Sequence, residues 1–141
     1  MSTKNYCAPL NVLMVNGAVS TSEDDSQITD LSFMDGSPGS AAALTNQAGA
    51  LAGLSGSYFF GHSVGDSTTG TGYNICSAKS LTGLGDVRSI CPEGPTLNGS
   101  YLMAGLAYQA HTHRVRTDIN LPSSAAKLKR VPLKGDTYGI S

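Results

Sequence analysis

Tryptophan is absent from this chain of 141 residues, and only 6% of its residues are aromatic. Sugar-binding platforms and base-stacking surfaces both depend on exposed aromatic rings, so the composition disfavours both kinds of site. Charged residues are also few, at 13%, whereas 40% of the residues are apolar and 17 are glycine. This composition favours short strands joined by many turns, and it suits a subunit of an assembly better than a free monomer.

Cysteine is scarce too, and its count is odd, since the chain has only Cys7, Cys76 and Cys91. An odd count favours free or buried thiols over a disulfide framework. Neither a C-x-x-C pair nor a Cys/His cluster is present, so no structural zinc site is predicted. The N-terminus has no apolar segment of the kind found in signal peptides, and no stretch approaches a membrane span. The sequence therefore predicts no membrane contact and assembly in a cytosol.

The length fits one domain, with room for a single core. We predict a mainly β fold: a single β-sandwich or barrel-like domain with one short helix and an extended C-terminal arm. The β-rich domain covers residues 1–122. The arm covers residues 123–141, where the sequence becomes basic and loses any clear period, so that its apolar residues are better buried on a neighbour.

The segment Tyr101–Leu121 is predicted to be the longest strand. From Gln109 onward its residues alternate with period two, which places His111 and His113 on one buried face with Val115, Ile119 and Leu121. The other face presents Arg114, Arg116, Asp118 and Asn120.

One helix is predicted between Ser40 and Leu54, where alanine is abundant. Gly49 and Gly53 allow either a short helix packed through its small face or an irregular loop, and we favour the helix. Further strands are predicted at Leu10–Val15, Ile28–Met34, Tyr58–Phe60, Tyr73–Ala78 and Val87–Cys91, with a hairpin turn at Asn16-Gly17 and a turn at Gly83–Asp86.

Charge is divided unevenly along the chain. Residues 1–100 hold three Lys or Arg against eight Asp or Glu, whereas residues 101–141 hold six against two. Such a molecule can pack head to tail with its own copies or place its basic end on an acidic neighbour, although a solvated basic tail explains the pattern equally well. Without a recognisable motif or interleaved aromatics, the cations do not favour nucleic-acid binding.

Gly61-His62-Ser63-Val64-Gly65 resembles the G-x-S-x-G nucleophile elbow of the α/β-hydrolase family. That resemblance implies Ser63 as nucleophile, with Asp86 and either His111 or His113 in the order the family uses. The elbow needs a helix directly after the serine, and residues 66–72 are among the poorest helix formers of the chain. A serine hydrolase is therefore kept as an alternative, and the favoured prediction has no catalytic residue.

His111-Thr112-His113 resembles the His-x-His elements of tailed-bacteriophage fibre tips, where such rings coordinate metal inside a trimer. The alternative is a pair of neutral, hydrogen-bonded histidines, and we favour it because one pair does not show ligand geometry. Gly70-Thr71-Gly72 and Gly83–Asp86 lack the lysine or the full glycine pattern of phosphate loops. The acidic residues Glu23, Asp24, Asp25 and Asp30 lack the ligand order of a calcium loop. No metal and no cofactor are predicted.

In overall style the chain resembles virion structural proteins of tailed bacteriophages, of the small kind that decorates or cements a capsid or forms a tail component. The resemblance implies a non-enzymatic protein of the virion, assembled in the host cytoplasm. Its partners would be its own copies, as a dimer or trimer, and a major capsid or tail protein. A receptor-binding tail or fibre module remains as a further alternative.

On this interpretation the working residues lie at interfaces. Arg114 and Arg116 would project towards acidic partners, and the arm would attach to the next subunit through Lys127, Leu128, Lys129, Arg130, Val131 and Leu133. Truncation after Pro122 would then leave the domain folded and abolish assembly.

Overall fold

The computed structural model describes residues 10–15, 39–69, 72–91, 99–113 and 134–140. These ranges contain, in chain order, β1 (Leu10–Val15), α1 (Ala41–Leu51), β2 (Ser57–Ser63), β3 (Ser77–Ser80), a 3₁₀ helix (Leu84–Asp86), β4 (Val87–Ile90), α2 (Leu102–Thr112) and β5 (Gly135–Ile140). The fold is mixed α/β. The described strands form two small sheets and neither a barrel nor a sandwich. The prediction of a mainly β sandwich or barrel-like domain is therefore corrected to a mixed α/β fold with two small sheets.

The two sheets differ in strand direction. β1 and β5 run parallel, with Leu10 beside Gly135 and Val15 beside Ile140. In the second sheet β2 lies in the middle and is antiparallel to both β3 and β4. Two parallel strands need a long connection between them, and here α1, the second sheet and α2 all lie between β1 and β5 in the chain.

Helix α1 begins where the sequence predicts it. The Ser40 hydroxyl accepts a hydrogen bond from the backbone N–H of Ala43 at 3.2 Å, which caps the first turn. Beyond the helix, Gly53 has a φ of +71°, a conformation that glycine adopts without steric cost. The short helix expected between Ser40 and Leu54 is thus confirmed over Ala41–Leu51.

Helices α1 and α2 approach closely because small residues line their contact. The backbone N–H of Gly105 donates to Oγ1 of Thr45 at 3.1 Å, and this buried hydroxyl donates in turn to the Ala41 carbonyl at 2.8 Å. Leu44 and Leu102 are buried in the same cluster. This contact is made at Ala41 and Thr45; of the two glycines that predicted a small face, Gly49 packs against Leu84 and Gly53 lies beyond the helix.

A second side of α1 packs against the 3₁₀ helix. The Asn46 side-chain oxygen accepts a hydrogen bond from the backbone N–H of Gly85 at 2.7 Å. A methyl group at Gly85 would overlap the backbone of Ala42, so only glycine allows the two segments to lie so close. The expected turn at Gly83–Asp86 is therefore a structural support for α1.

The predicted long strand is wrong for its first part. Residues 102–112 form α2, and its buried residues are Leu102, Gly105 and Gln109, spaced three and four apart as on one face of a helix. The period-two pattern began at Gln109, but this side chain is only 2% exposed because it lies on the helix face. The segment Leu102–Thr112 is rich in Ala, Leu and Met, which favour a helix. Residues 114–121 lie outside the described residues.

The chain's last described residues belong to a sheet. Residues 135–140 of the predicted arm form β5, which pairs with β1 of the same chain and also contacts α2. Residues 123–133 lie outside the described residues, so the division of the chain at residue 122 stays a prediction.

The remaining strands follow the sequence in part. Strands are present at Leu10–Val15, across Tyr58–Phe60 and at Val87–Ile90. The predicted strand Tyr73–Ala78 is replaced by β3 at Ser77–Ser80, because residues 72–74 form a turn in which Asn74 has a φ of 60°. The predicted Asn16-Gly17 hairpin and the strand Ile28–Met34 lie outside the described residues. Neither described helix is long and apolar enough to cross a membrane.

Candidate functional site

An apolar groove of about 280 Å³ lies between the end of α1, strand β2 and the first residue before α2. The lining includes Leu54, Tyr58, Phe59, Phe60, Leu84 and Tyr101, with Leu81 and Val87 completing it. None of these residues is charged, and the two tyrosine hydroxyls are their only polar side-chain groups. The groove can therefore bind an apolar group, and the polar side-chain contacts that its described residues offer are those of the two tyrosine hydroxyls.

The groove has a buried floor and an exposed rim. Phe60 and Val87 are only 3% and 1% exposed, whereas Phe59 is 69% exposed and Tyr58 is 41% exposed. Tyr58, Phe59 and Phe60 are consecutive in β2, and they make up three of the nine aromatic residues in the chain. Sequence reasoning assigned them only to a strand, although this run was the signal that could have located the groove.

Tyr101 lies at the N-terminal end of α2 and contributes its ring to the groove. Burial raises the pKa of its phenol above the ordinary value of 10.0. The hydroxyl therefore remains neutral at physiological pH, and it is available as a hydrogen-bond donor or acceptor.

The G-x-S-x-G segment does not form a nucleophile elbow. Gly61, His62 and Ser63 are the last three residues of β2, and residues 64–69 continue as turns and irregular chain instead of a helix. The backbone N–H of Ser63 donates to the Asp66 carboxylate at 2.6 Å, and Gly65 has a φ of +89°. These features are those of a tight turn after a strand.

The histidine of this segment is more buried than expected of a turn residue. His62 is 9% exposed, and its ring lies on that of Tyr73, with 4.5 Å between centroids and 34° between planes. Its Nδ1 is buried and has no hydrogen-bond partner among the described residues. Arg88 stands directly opposite on β4, so both side chains lie on one face of the sheet.

The prediction of free thiols is wrong for two of the three cysteines. Cys76 and Cys91 form a disulfide, with their Cα atoms 6.0 Å apart. Cys76 directly precedes β3 and Cys91 directly follows β4, so the bond links the two outer strands of the β3–β2–β4 sheet. The odd number of cysteines argued against a disulfide, but two of the three form one. The third, Cys7, lies outside the described residues.

The two histidines of the His-x-His element do not form a pair on a strand. His111 belongs to α2 and His113 caps its C-terminal end. The ring of His111 lies 3.2 Å from the Asp136 carboxylate on β5, whereas that of His113 contacts the Thr112 hydroxyl at 2.9 Å. Residues two apart on a helix point in different directions, so the shared buried face predicted for these rings is incorrect.

The structure brings no hydrolase triad together at Ser63 among the described residues. His111 makes its contact with Asp136, and the backbone carbonyl of Asp86 accepts a hydrogen bond from the N–H of Val64 at 2.8 Å. In the ranges that the structure covers, no group of three or more His, Cys, Asp or Glu is arranged to hold a metal ion.

The predicted interface residues cannot be placed in this site. Arg114, Arg116, Lys127, Leu128, Lys129, Arg130, Val131 and Leu133 all lie outside the described residues, as do Glu23, Asp24, Asp25 and Asp30. Their roles stay predictions.

Comparison with known proteins gives one finding. A family model described as PilY1 homolog, second domain, matches residues 1–110 of the chain. No curated protein and no solved structure matches it significantly. The matched range includes β1, α1, the β3–β2–β4 sheet and most of α2.

This match overturns the resemblance to tailed-phage virion proteins. The family is related to bacterial type IV pili and is not a phage structural family. The assignments to capsid decoration, to a bacteriophage and to viral assembly are therefore wrong. They rested on composition and charge distribution, which are shared by many proteins that work in assemblies.

Proposed function

Because the chain belongs to the family of PilY1 homologs, as their second domain, we propose that it is a non-enzymatic domain of a type IV pilus-related protein. On this proposal it acts by binding other polypeptides. The observation that carries the proposal is the apolar groove, whose rim exposes Phe59 and Tyr58 next to the buried Phe60. Exposed apolar surface of this kind marks protein interaction sites.

The groove suits an anchor side chain of a partner. Its volume is at the lower end of ligand pockets, and the described residues that line it carry no charge. A charged group would lose its hydration there without gaining a partner, so the favoured occupant is an aliphatic or aromatic side chain. Aromatic residues are enriched at the centres of protein interfaces, which fits the position of Phe59.

The absence of catalytic function is part of the same proposal. Ser63 ends a strand and is followed by turns, and its backbone is held by Asp66. This arrangement supports a structural role for the G-x-S-x-G segment.

The disulfide supports a location outside a reducing cytosol. Disulfides form and persist in the periplasm and on cell surfaces, and they are rare in cytosolic proteins. The Cys76–Cys91 bond thus agrees with a pilus-related protein, and we propose an oxidising compartment in place of assembly in a cytosol.

The proposal is tested by binding to pili. We expect the purified, oxidised chain to cosediment with type IV pili sheared from the bacterium that produces it, and the variant Phe59→Ala to lose about tenfold in affinity, as expected when an interface anchor is truncated. The matched control is Tyr138→Ala, since Tyr138 is also an exposed aromatic residue, 56% exposed, but lies on β5 away from the groove lining.

Light scattering on the same samples separates self-association from binding to pili. A dimer or trimer that dissociates in Phe59→Ala would identify a second copy of the chain as the occupant of the groove. Equal cosedimentation and equal mass of wild type, Phe59→Ala and Tyr138→Ala would contradict the proposed role of the groove.

A further inference from the structure

His62 is a buried histidine whose imidazole is covered by a neighbouring segment of the chain. It is the penultimate residue of β2, is 9% exposed, and is covered by the ring of Tyr73 from the segment 72–76. The disulfide at Cys76 ties the end of this segment to Cys91 beyond β4. The segment can therefore move away from His62 only as a short tethered loop.

The neutral form of the ring is the one that fits this environment. A neutral imidazole has one N–H and one acceptor nitrogen, whereas the protonated ring has two N–H groups that both need acceptors. Nδ1 is buried and has no partner among the described residues, so a proton there would leave an unsatisfied donor that carries charge.

The charged groups on neighbouring elements do not compensate that charge. Arg88 of β4 is the cross-strand partner of His62, and like charges directly opposite each other are destabilising. On β3, the ammonium of Lys79 donates to the carbonyls of Phe60 and Ile75, which places a second cation near this sheet.

Among the described residues, the acids of the flanking segments, Asp66 and Asp86, do not hydrogen-bond to Nδ1 of His62. The Asp66 carboxylate accepts from the backbone of Ser63, whose side chain lies on the opposite face of β2 from His62. Asp86 precedes β4 in the 3₁₀ helix. Tyr73, the remaining titratable group in contact, presents its ring face to the imidazole.

We propose that His62 is a proton-controlled latch for the segment 72–76. While the ring is neutral, Tyr73 packs on it and the segment is closed; when the ring is protonated, Tyr73 separates and His62 becomes hydrated. A proton on the buried Nδ1 would have no acceptor in the closed form, whereas water can accept from it in the open form, so low pH favours the open form. The inference is independent of the groove and of its partner.

The experiment is amide hydrogen exchange on the intact, oxidised chain at pH 7.5 and pH 5.5, with rates expressed as protection factors. We expect protection of residues 72–76 to fall about tenfold at the lower pH, in keeping with the cost of a buried unsatisfied donor. Protection of α1, which holds no histidine, serves as the internal reference and should stay constant.

Two variants assign the effect. His62→Phe retains an aromatic ring for Tyr73 and cannot be protonated, so its protection of 72–76 should be the same at both pH values. His111→Gln removes an exposed histidine and should respond like wild type. Unchanged protection in wild type, or an equal fall in His62→Phe, would overturn the proposal.

A measurement on the wild-type chain covers the case in which His62→Phe does not fold. The Cε1–H resonance of His62 and the ring resonances of Tyr73 are followed by NMR between pH 8 and pH 5. If the ring resonances of Tyr73 shift with the same pH midpoint as the Cε1–H resonance of His62, the latch is supported. If the His62 resonance shifts and the Tyr73 resonances do not, the proposal is overturned.

Discussion

Thr45 shows how one side chain holds two helices together. It is fully buried, and its hydroxyl accepts from the N–H of Gly105 while it donates to the Ala41 carbonyl, with the Leu102 carbonyl at 3.3 Å. A buried hydroxyl is stable only when it is hydrogen-bonded, and here all partners are backbone groups. The close approach of α2 depends on the missing side chain at Gly105.

Gly105→Ala should therefore destabilise the chain strongly. The added Cβ would lie 2.5 Å from Oγ1 of Thr45 and 2.6 Å from the Ala41 carbonyl oxygen, so the helices must separate and the hydrogen bonds must lengthen. We expect a loss of about 3 kcal/mol in the free energy of unfolding, measured by urea denaturation.

The control for that substitution is Gly139→Ala on β5. Apart from its two chain neighbours, no described residue has a heavy atom within 4 Å of the position that the new methyl group would occupy, and the backbone is extended there. It should leave the urea midpoint unchanged or raise it slightly. Equal midpoints for the two variants would mean that α1 and α2 do not pack as closely as the structure shows.

At the residue scale the sequence predicted some features better than others. Ser40 is a good N-cap residue at the start of an alanine-rich stretch, so the helix start could be located from local chemistry alone. The burial of His62 could not, because it involves the ring of Tyr73 from a separate segment of the chain. The Cys76–Cys91 bond was missed for a related reason: pairing depends on strand order, and strand order is not encoded in a count.

At the scale of elements, the β3–β2–β4 sheet combines a short length with a covalent link. β3 and β4 have four residues each, and strands so short give limited stability by hydrogen bonding alone. Lys79 on the outer strand β3 bonds to the carbonyls of Phe60 and Ile75, and a lysine on an edge strand opposes pairing with other chains. The disulfide then fixes the outer strands to each other.

Removing the disulfide should destabilise the chain measurably. The bond closes a loop with a sequence separation of 15, for which the chain-entropy estimate is about 3 kcal/mol at 25 °C. We expect the double variant Cys76→Ser/Cys91→Ser to lose about that amount in urea denaturation, and dithiothreitol to lower the wild-type midpoint to the same value.

Cys7→Ser is the matched control for this pair, and it should behave as wild type both with and without dithiothreitol. If dithiothreitol leaves the wild-type midpoint unchanged, the bond does not contribute to stability. If it lowers the midpoint of the double variant as well, the effect has another origin.

Helix α2 explains why an element was predicted wrongly. Alternation from Gln109 to Leu121 suggested a strand. The preceding stretch, residues 102–107, consists of Leu, Met and Ala apart from Gly105, and these strong helix formers extend the helix into the alternating segment. Gln109 and Gly105 then face α1. Local helix propensity and packing against α1 together outweighed the period-two pattern. The packing could not be predicted from the sequence alone, because it depends on where α1 lies in the fold.

At the scale of the whole molecule, the first and last described strands lie side by side. Pairing of β1 with β5 connects residues 10–15 with residues 135–140, and α2 packs beside β5. Leu13 and Tyr138 remain exposed on this pair, at 62% and 56%. Such a sheet is not visible in local sequence patterns because its two strands are distant in the chain and β5, with two glycines, has little strand propensity.

The pairing gives an outcome for truncation that differs from the one expected of a separate arm. A chain ending at Lys134 lacks only β5 and the final residue, and it leaves β1 without its partner. We expect amide protection in residues 10–15 to be lost and the free energy of unfolding to fall by about 2 kcal/mol or more, since the hydrogen bonds of β1 become unpaired.

A chain ending at Pro122 provides the comparison. If residues 123–141 are a dispensable arm, both truncated chains keep the protection of β1 and the wild-type urea midpoint. If β5 is part of the fold, both lose the protection of β1, and the shorter chain is no more stable than the longer one. The second result is expected, because the two truncations remove the same strand and a two-stranded sheet cannot persist with one strand.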